Sequence, residues 1–182
     1  MMKWMKSIAC LLAAACLLSG CTKSNIISEA TQDYSDLPQP GPDGIVWEQL
    51  WEDWDEIYTD LNDFPYAETV SGGVYPEENA LKFYILLNTT ISREEAAQYA
   101  TTVIKGFNDL ISEQNPEYEP SSDESYGGYA SQYEIYVMVA PDGTKADTST
   151  WILEDTIPAG EYRAVSPEAV PTREAAETEA AE

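Results

Sequence analysis

The stretch ALKFYILLNTTISREEAAQYATTVIKGFNDLISEQNP, residues 80–116, carries both periods that decide the fold. In its first part Leu81, Phe83, Ile85 and Leu87 share one face, while Lys82, Tyr84 and Asn88 take the other. A period of two predicts a half-buried strand over residues 80–88. The period then lengthens. Ser92 followed three residues later by Glu95 is a capping box, in which each side chain bonds the other residue's backbone N–H at a helix start. Ala96, Ala100, Val103, Ile104, Phe107 and Leu110 or Ile111 form one inward stripe, so a helix is expected from Arg93 to about Glu113. Asn115-Pro116 ends it, because proline pushes the preceding residue out of the helical region.

Upstream, Trp47, Leu50, Trp51, Trp54, Ile57, Tyr58 and Leu61 recur at steps of three and four and predict a helix over residues 46–63. Asp43 or Gly44 is its expected cap, and Pro65 lies just past its end. Residues 69–75, with Gly72-Gly73 inside, read as a weaker strand, and Pro76-Glu77-Glu78-Asn79 has the chemistry of a turn that pairs it with the strand at 80–88. Downstream, residues 117–128 are a polar loop. Tyr133, Ile135, Val137 and Val139 then alternate with Gln132, Glu134, Tyr136 and Met138 in a strand over 129–140. Asp142-Gly143 signals a tight hairpin to a strand at 150–156, and Pro158 and Gly160 mark a later bend. The order α-β-β-α-β-β predicts an α+β fold. The expected form is a small two-layer domain with a mostly antiparallel sheet of two hairpins and both helices on one face.

Composition narrows the function. The chain has 182 residues, 33 Asp plus Glu, 9 Lys plus Arg and no His, for a formal net charge of −24. Phosphates would be repelled, so nucleic acid is not an expected partner. The missing His removes the commonest general base and metal ligand. There is no glycine-rich phosphate loop, no dinucleotide-binding turn and no calcium loop, so no cofactor is expected.

The N-terminus reads as an address. Lys3 and Lys6 precede an apolar run over residues 8–18, the length of a signal-peptide core and too short for a permanent membrane span. The run ends in Leu18-Ser19-Gly20-Cys21. These four residues resemble the lipobox of bacterial lipoproteins position for position. The resemblance implies cleavage before Cys21 and a diacylglycerol on its sulfur, which anchors the chain in the cell membrane facing outward; two acyl chains suffice for stable anchoring. Cys10 and Cys16 would leave with residues 1–20, and Cys21 would be consumed as a thioether. The mature chain would then have no thiol for a disulfide, a metal or nucleophilic catalysis. It would carry 33 acids against 7 bases. The remaining organisation is expected to be a flexible tether over 21–44, a domain over 45–165 and an acidic, disordered tail over 166–182. As a coil, the tether would span about 25–30 Å.

Candidate contact residues are aromatic. The Trp stripe is mainly core, with Trp47, nearest the tether, the ring expected at its edge. Tyr126 and Tyr129 lie in a Tyr-rich run with Gly127-Gly128, a composition suited to adaptable recognition. Glu48, Glu52, Asp53, Asp55, Glu56, Asp60 and Asp63 make an acidic outer face that could engage a cationic protein. Its carboxylates diverge, which does not suit a metal ion. The sequence therefore predicts a noncatalytic binding or accessory module at the cell surface, with Trp47, Tyr126 and Tyr129 as ligand contacts and no catalytic or metal residues. The alternatives are a carbohydrate- or cell-wall-binding domain using exposed aromatics and a small hydrolase working through paired carboxylates.

Overall fold

The computed structural model describes residues 39–169. The lipobox Leu18-Ser19-Gly20-Cys21, the signal segment, most of the tether and residues 170–182 lie outside the described residues. Helices α1 (Trp47–Thr59) and α2 (Arg93–Gln114) and strands β1 (Ala67–Tyr75), β2 (Ala80–Leu87), β3 (Glu134–Pro141) and β4 (Leu153–Ile157) follow in the order α1-β1-β2-α2-β3-β4. The fold is α+β, with a four-stranded mixed sheet in the order β1-β2-β3-β4.

The pairs β1/β2 and β3/β4 are antiparallel hairpins, but the central pair β2/β3 is parallel, Ala80 lying opposite Glu134 and Leu87 opposite Pro141. This corrects the expectation of a mostly antiparallel sheet at its centre. The cause is α2. Its 22 residues span about 33 Å at 1.5 Å each, more than the roughly 26 Å of an eight-residue strand. The helix therefore carries the chain back to the end of the sheet where β2 began, and β3 must start there. Parallel neighbours require such a crossover.

Leu81, Phe83, Ile85 and Leu87 of β2 are buried, as the alternation requires. Phe83 is where the elements meet. Trp54 of α1 stacks on it with 6.0 Å between ring centroids, and Phe107 of α2 meets it edge-on at 5.4 Å. The Trp54 indole N–H donates to the Val70 carbonyl at 2.8 Å, so its one polar group is satisfied inside the core. Both halves of the Ser92/Glu95 capping box form.

Three boundaries differ from the sequence reading. Helix α1 stops at Thr59, because the Asp60 N–H bonds back to the Ile57 carbonyl and a turn follows; Leu61 consequently leaves the stripe and is 57% exposed. Strand β3 starts at Glu134 because a 3-10 turn, Ala130–Gln132, occupies the preceding residues. Asp142-Gly143 forms a turn with Gly143 at φ +75°, but a longer connection holding a further 3-10 turn, Thr148–Thr150, leads to β4.

After β4 the chain is clamped back on the sheet. Arg163 grips Asp155 of β4 through two hydrogen bonds, Nη1 to Oδ2 at 2.6 Å and Nη2 to Oδ1 at 2.8 Å, and the Ser166 N–H adds a third at 2.9 Å. Burial alone would raise the Asp155 carboxyl. The Arg163 guanidinium and the backbone N–H groups outweigh it and hold the carboxyl below its ordinary value. A depressed native pKa stabilises the fold above the unfolded pKa, and that stability is lost as pH falls through the native one. Asp155→Asn should therefore destabilise by about 1–3 kcal/mol at neutral pH. In urea titrations the gap from wild type should close as the pH drops below about 4. A gap independent of pH would contradict the assignment.

Candidate functional site

Helix α1 begins without a side-chain cap at Val46. Its start is instead bolted to the end of α2: the Val46 N–H donates to Gln114 Oε1 at 2.8 Å, and Asn115 Nδ2 donates to the Asp43 carbonyl at 3.0 Å. Gly44, at φ +78°, passes so close that a Cβ would lie 2.9 Å from Asn115 Nδ2. Asp43 is thereby fixed, and it orients the first ring of the stripe: Trp47 Nε1 donates to Asp43 Oδ2 at 3.2 Å, while Asp43 Oδ1 accepts the Ile45 N–H at 3.1 Å. The residue expected to cap the helix thus positions a tryptophan.

A second anchor sits on α2. Asn108 is fully buried. Its Oδ1 accepts the N–H groups of Tyr129 and Ala130 at 3.0 and 3.1 Å, and its Nδ2 donates to the Glu119 carbonyl at 3.0 Å. Gly127, at φ +96°, lets the chain lie directly on this amide, since a Cβ there would be 1.9 Å from Asn108 Nδ2. The Gly127-Gly128 loop, read from sequence as adaptable, is thus held tightly, and it fixes the Tyr129 ring.

Together these anchors build an open groove of about 450 Å³ at the end of the sheet where β1 finishes and β2 and β3 begin. Trp47 and Trp51 of α1 form one wall, Gly73, Val74 and Pro76 another, and Tyr129, Tyr133 and Asp43 complete it. The rings make a continuous row: Trp51 to Trp47 at 6.2 Å between centroids, Trp47 to Tyr129 at 6.1 Å, and Tyr129 to Tyr133 at 5.3 Å. Burial, the Tyr133 hydroxyl and the Asp43 charge all raise the Tyr129 hydroxyl pKa, so its ring stays neutral.

No protein-family model matches this chain, and no curated protein or solved structure is found to be similar to it.

Of the three contact residues expected from sequence, Trp47 and Tyr129 come together in the groove, Tyr129 as a buried ring, 4% exposed, that forms part of its floor. Tyr126 does not, and its assignment is corrected. It is 1% exposed, its hydroxyl donates to the Arg163 carbonyl at 2.8 Å, and burial pushes that hydroxyl up to about 12. It is a core residue that ties the chain after β4 to the body. Trp51 and Tyr133 were not singled out as contacts. Trp51 is in the stripe but only partly buried, and it lines the groove.

The acidic face of α1 lies elsewhere. Asp53, Glu56, Asp60 and Asp63 rim a second groove with Ile57, Leu110 and Glu113. Among the described residues no group of three or more His, Cys, Asp or Glu side chains is placed to hold a metal ion. Nor is any described helix long and apolar enough to cross a membrane.

Proposed function

We propose that this chain is an outward-facing, lipid-anchored bacterial protein whose folded body is a noncatalytic binding module, and that it takes its ligand in the groove of Trp47, Trp51, Tyr129 and Tyr133. The observation that supports this reading is the row of four rings lining an open concavity. Ligand sites are concave and mostly apolar, with a few placed polar groups. The anchor rests on the lipobox at Cys21. We take the body to be two-layered, both helices covering the Phe83 face of the sheet, which leaves the groove open at one end. A cell-wall glycan is the second reading, favoured by the 30° between the planes of Trp47 and Trp51, which lets both indoles present faces to a sugar chain.

One cell-based experiment separates anchor from groove. Cys21→Ser should abolish incorporation of labelled fatty acid and move the protein out of the membrane fraction. Trp47→Ala with Trp51→Ala should leave the protein in the membrane while lowering its retention on purified cell-wall sacculi. Continued labelling of Cys21→Ser would overturn the anchor. Wild type and the double variant behaving alike toward sacculi would count against the glycan reading.

A further inference from the structure

We infer that the groove recognises a quaternary or other alkylated ammonium group; the inference rests on the proposed binding role and names the ligand class of the same site. Three features carry it. First, among the described residues the only acidic side chain lining the groove is Asp43, and no Lys or Arg lines it. The cavity is therefore negative, in a chain of net charge −24. Second, the partly exposed rings of Trp47, Trp51 and Tyr133 line it over the buried Tyr129 ring, and a cation within about 6 Å of an aromatic centroid is attracted by the ring's quadrupole, most strongly for Trp.

Third, the groove's side-chain polar groups are turned toward one another. Each Asp43 carboxylate oxygen accepts a hydrogen bond, one from the Trp47 indole and one from the Ile45 N–H. The Tyr133 hydroxyl points to that of Tyr129 at 3.5 Å. The Trp47 N–H, the donor a sugar hydroxyl would seek, is spent on Asp43. A sugar needs its own hydroxyls partnered to repay their desolvation. An alkylated ammonium carries charge without that demand and needs only ring faces and a negative field, and the groove supplies both. The acidic surroundings also select against a cation that brings its own phosphate, so a headgroup of the phosphocholine type should bind less well than the bare ammonium.

The test is calorimetric titration of the intact protein with choline, with its neutral carbon isostere in which tert-butyl replaces trimethylammonium, with phosphocholine and with chitotriose. Choline should bind about tenfold more tightly than the isostere, and its binding should weaken as salt is raised. Asp43→Asn removes the charge but keeps one acceptor oxygen for the two N–H groups that Asp43 holds, so it should lower choline affinity more than isostere affinity and thereby shrink the preference. Trp47→Ala should weaken both. Equal affinity for choline and the isostere overturns the inference, as does tighter binding of phosphocholine. Chitotriose bound with no response to choline overturns it too, yet leaves the groove as a binding site. No binding by any of the four probes removes both.

Discussion

Trp54→Ala should cost the fold about 3–5 kcal/mol, the range for truncating a large buried ring. The residue is 2% exposed and touches four other rings: Tyr58 at 4.4 Å, Phe107 at 5.7 Å, and Phe83 and Trp51 each at 6.0 Å. Truncation opens a cavity between both helices and the sheet. It also leaves the Val70 carbonyl without the indole N–H it accepts at 2.8 Å, and an unpaired buried acceptor adds about 1–3 kcal/mol. Small domains have only about 5–15 kcal/mol in total, so the variant should sit at the edge of folding. Urea unfolding should show a much lower midpoint with an unchanged slope. Trp47→Ala, at the groove, should shift that midpoint far less. Equal, small shifts for the two variants would mean that Trp54 is not the ring joining the layers.

The second large effect is expected at Gly127. Gly127→Ala meets two penalties at once. The backbone is at φ +96°, where side chains are strained, and the new Cβ would be placed 1.9 Å from Asn108 Nδ2. Asn108 cannot turn aside cheaply, because its amide holds the N–H groups of Tyr129 and Ala130 and bonds the Glu119 carbonyl. The expected loss is about 3 kcal/mol or more, combining strain with the broken buried bonds. Asn108→Ala alone should cost about 2–4 kcal/mol by stranding those buried N–H groups. The double variant should cost clearly less than the two singles together, since Asn108→Ala removes the amide that the added methyl would strike. Strict additivity in the cycle would contradict this contact. Gly127→Ala should also weaken choline binding, because Tyr129 loses its anchor.

Much of the fold was legible. The switch from a period of two to one of 3.6 between Leu87 and Ser92 placed β2 and α2 correctly, because both bury a continuous apolar face and start on strong local chemistry. The central parallel pairing also lies in the element order, a strand followed by a long helix and another strand, while the turn signals flanking it favour antiparallel hairpins at the edges. Leu61 misled because it keeps the helical period after the backbone has turned at Asp60. For the site, Trp47 and Tyr129 were legible as aromatics and Tyr126 was indistinguishable from them. Tyr126 and Tyr129 are both buried, and only the fold tells that Tyr129 reaches the groove while Tyr126 does not. Asn108 left one readable trace, a polar residue within the stripe between Ile104 and Ile111. Its partners lie at residues 119, 129 and 130, and no local pattern connects them.

The most direct test of the groove as the contact site is nitrogen-resolved NMR of the tryptophan indoles in the intact protein during separate titrations with choline and chitotriose. The four tryptophans that follow the proposed cleavage site, Trp47, Trp51, Trp54 and Trp151, report independently once assigned by single substitution. The account predicts that Trp47 and Trp51 move with at least one probe while Trp54 and Trp151 stay in place. Movement confined to the other indoles, or none with either probe, would contradict it.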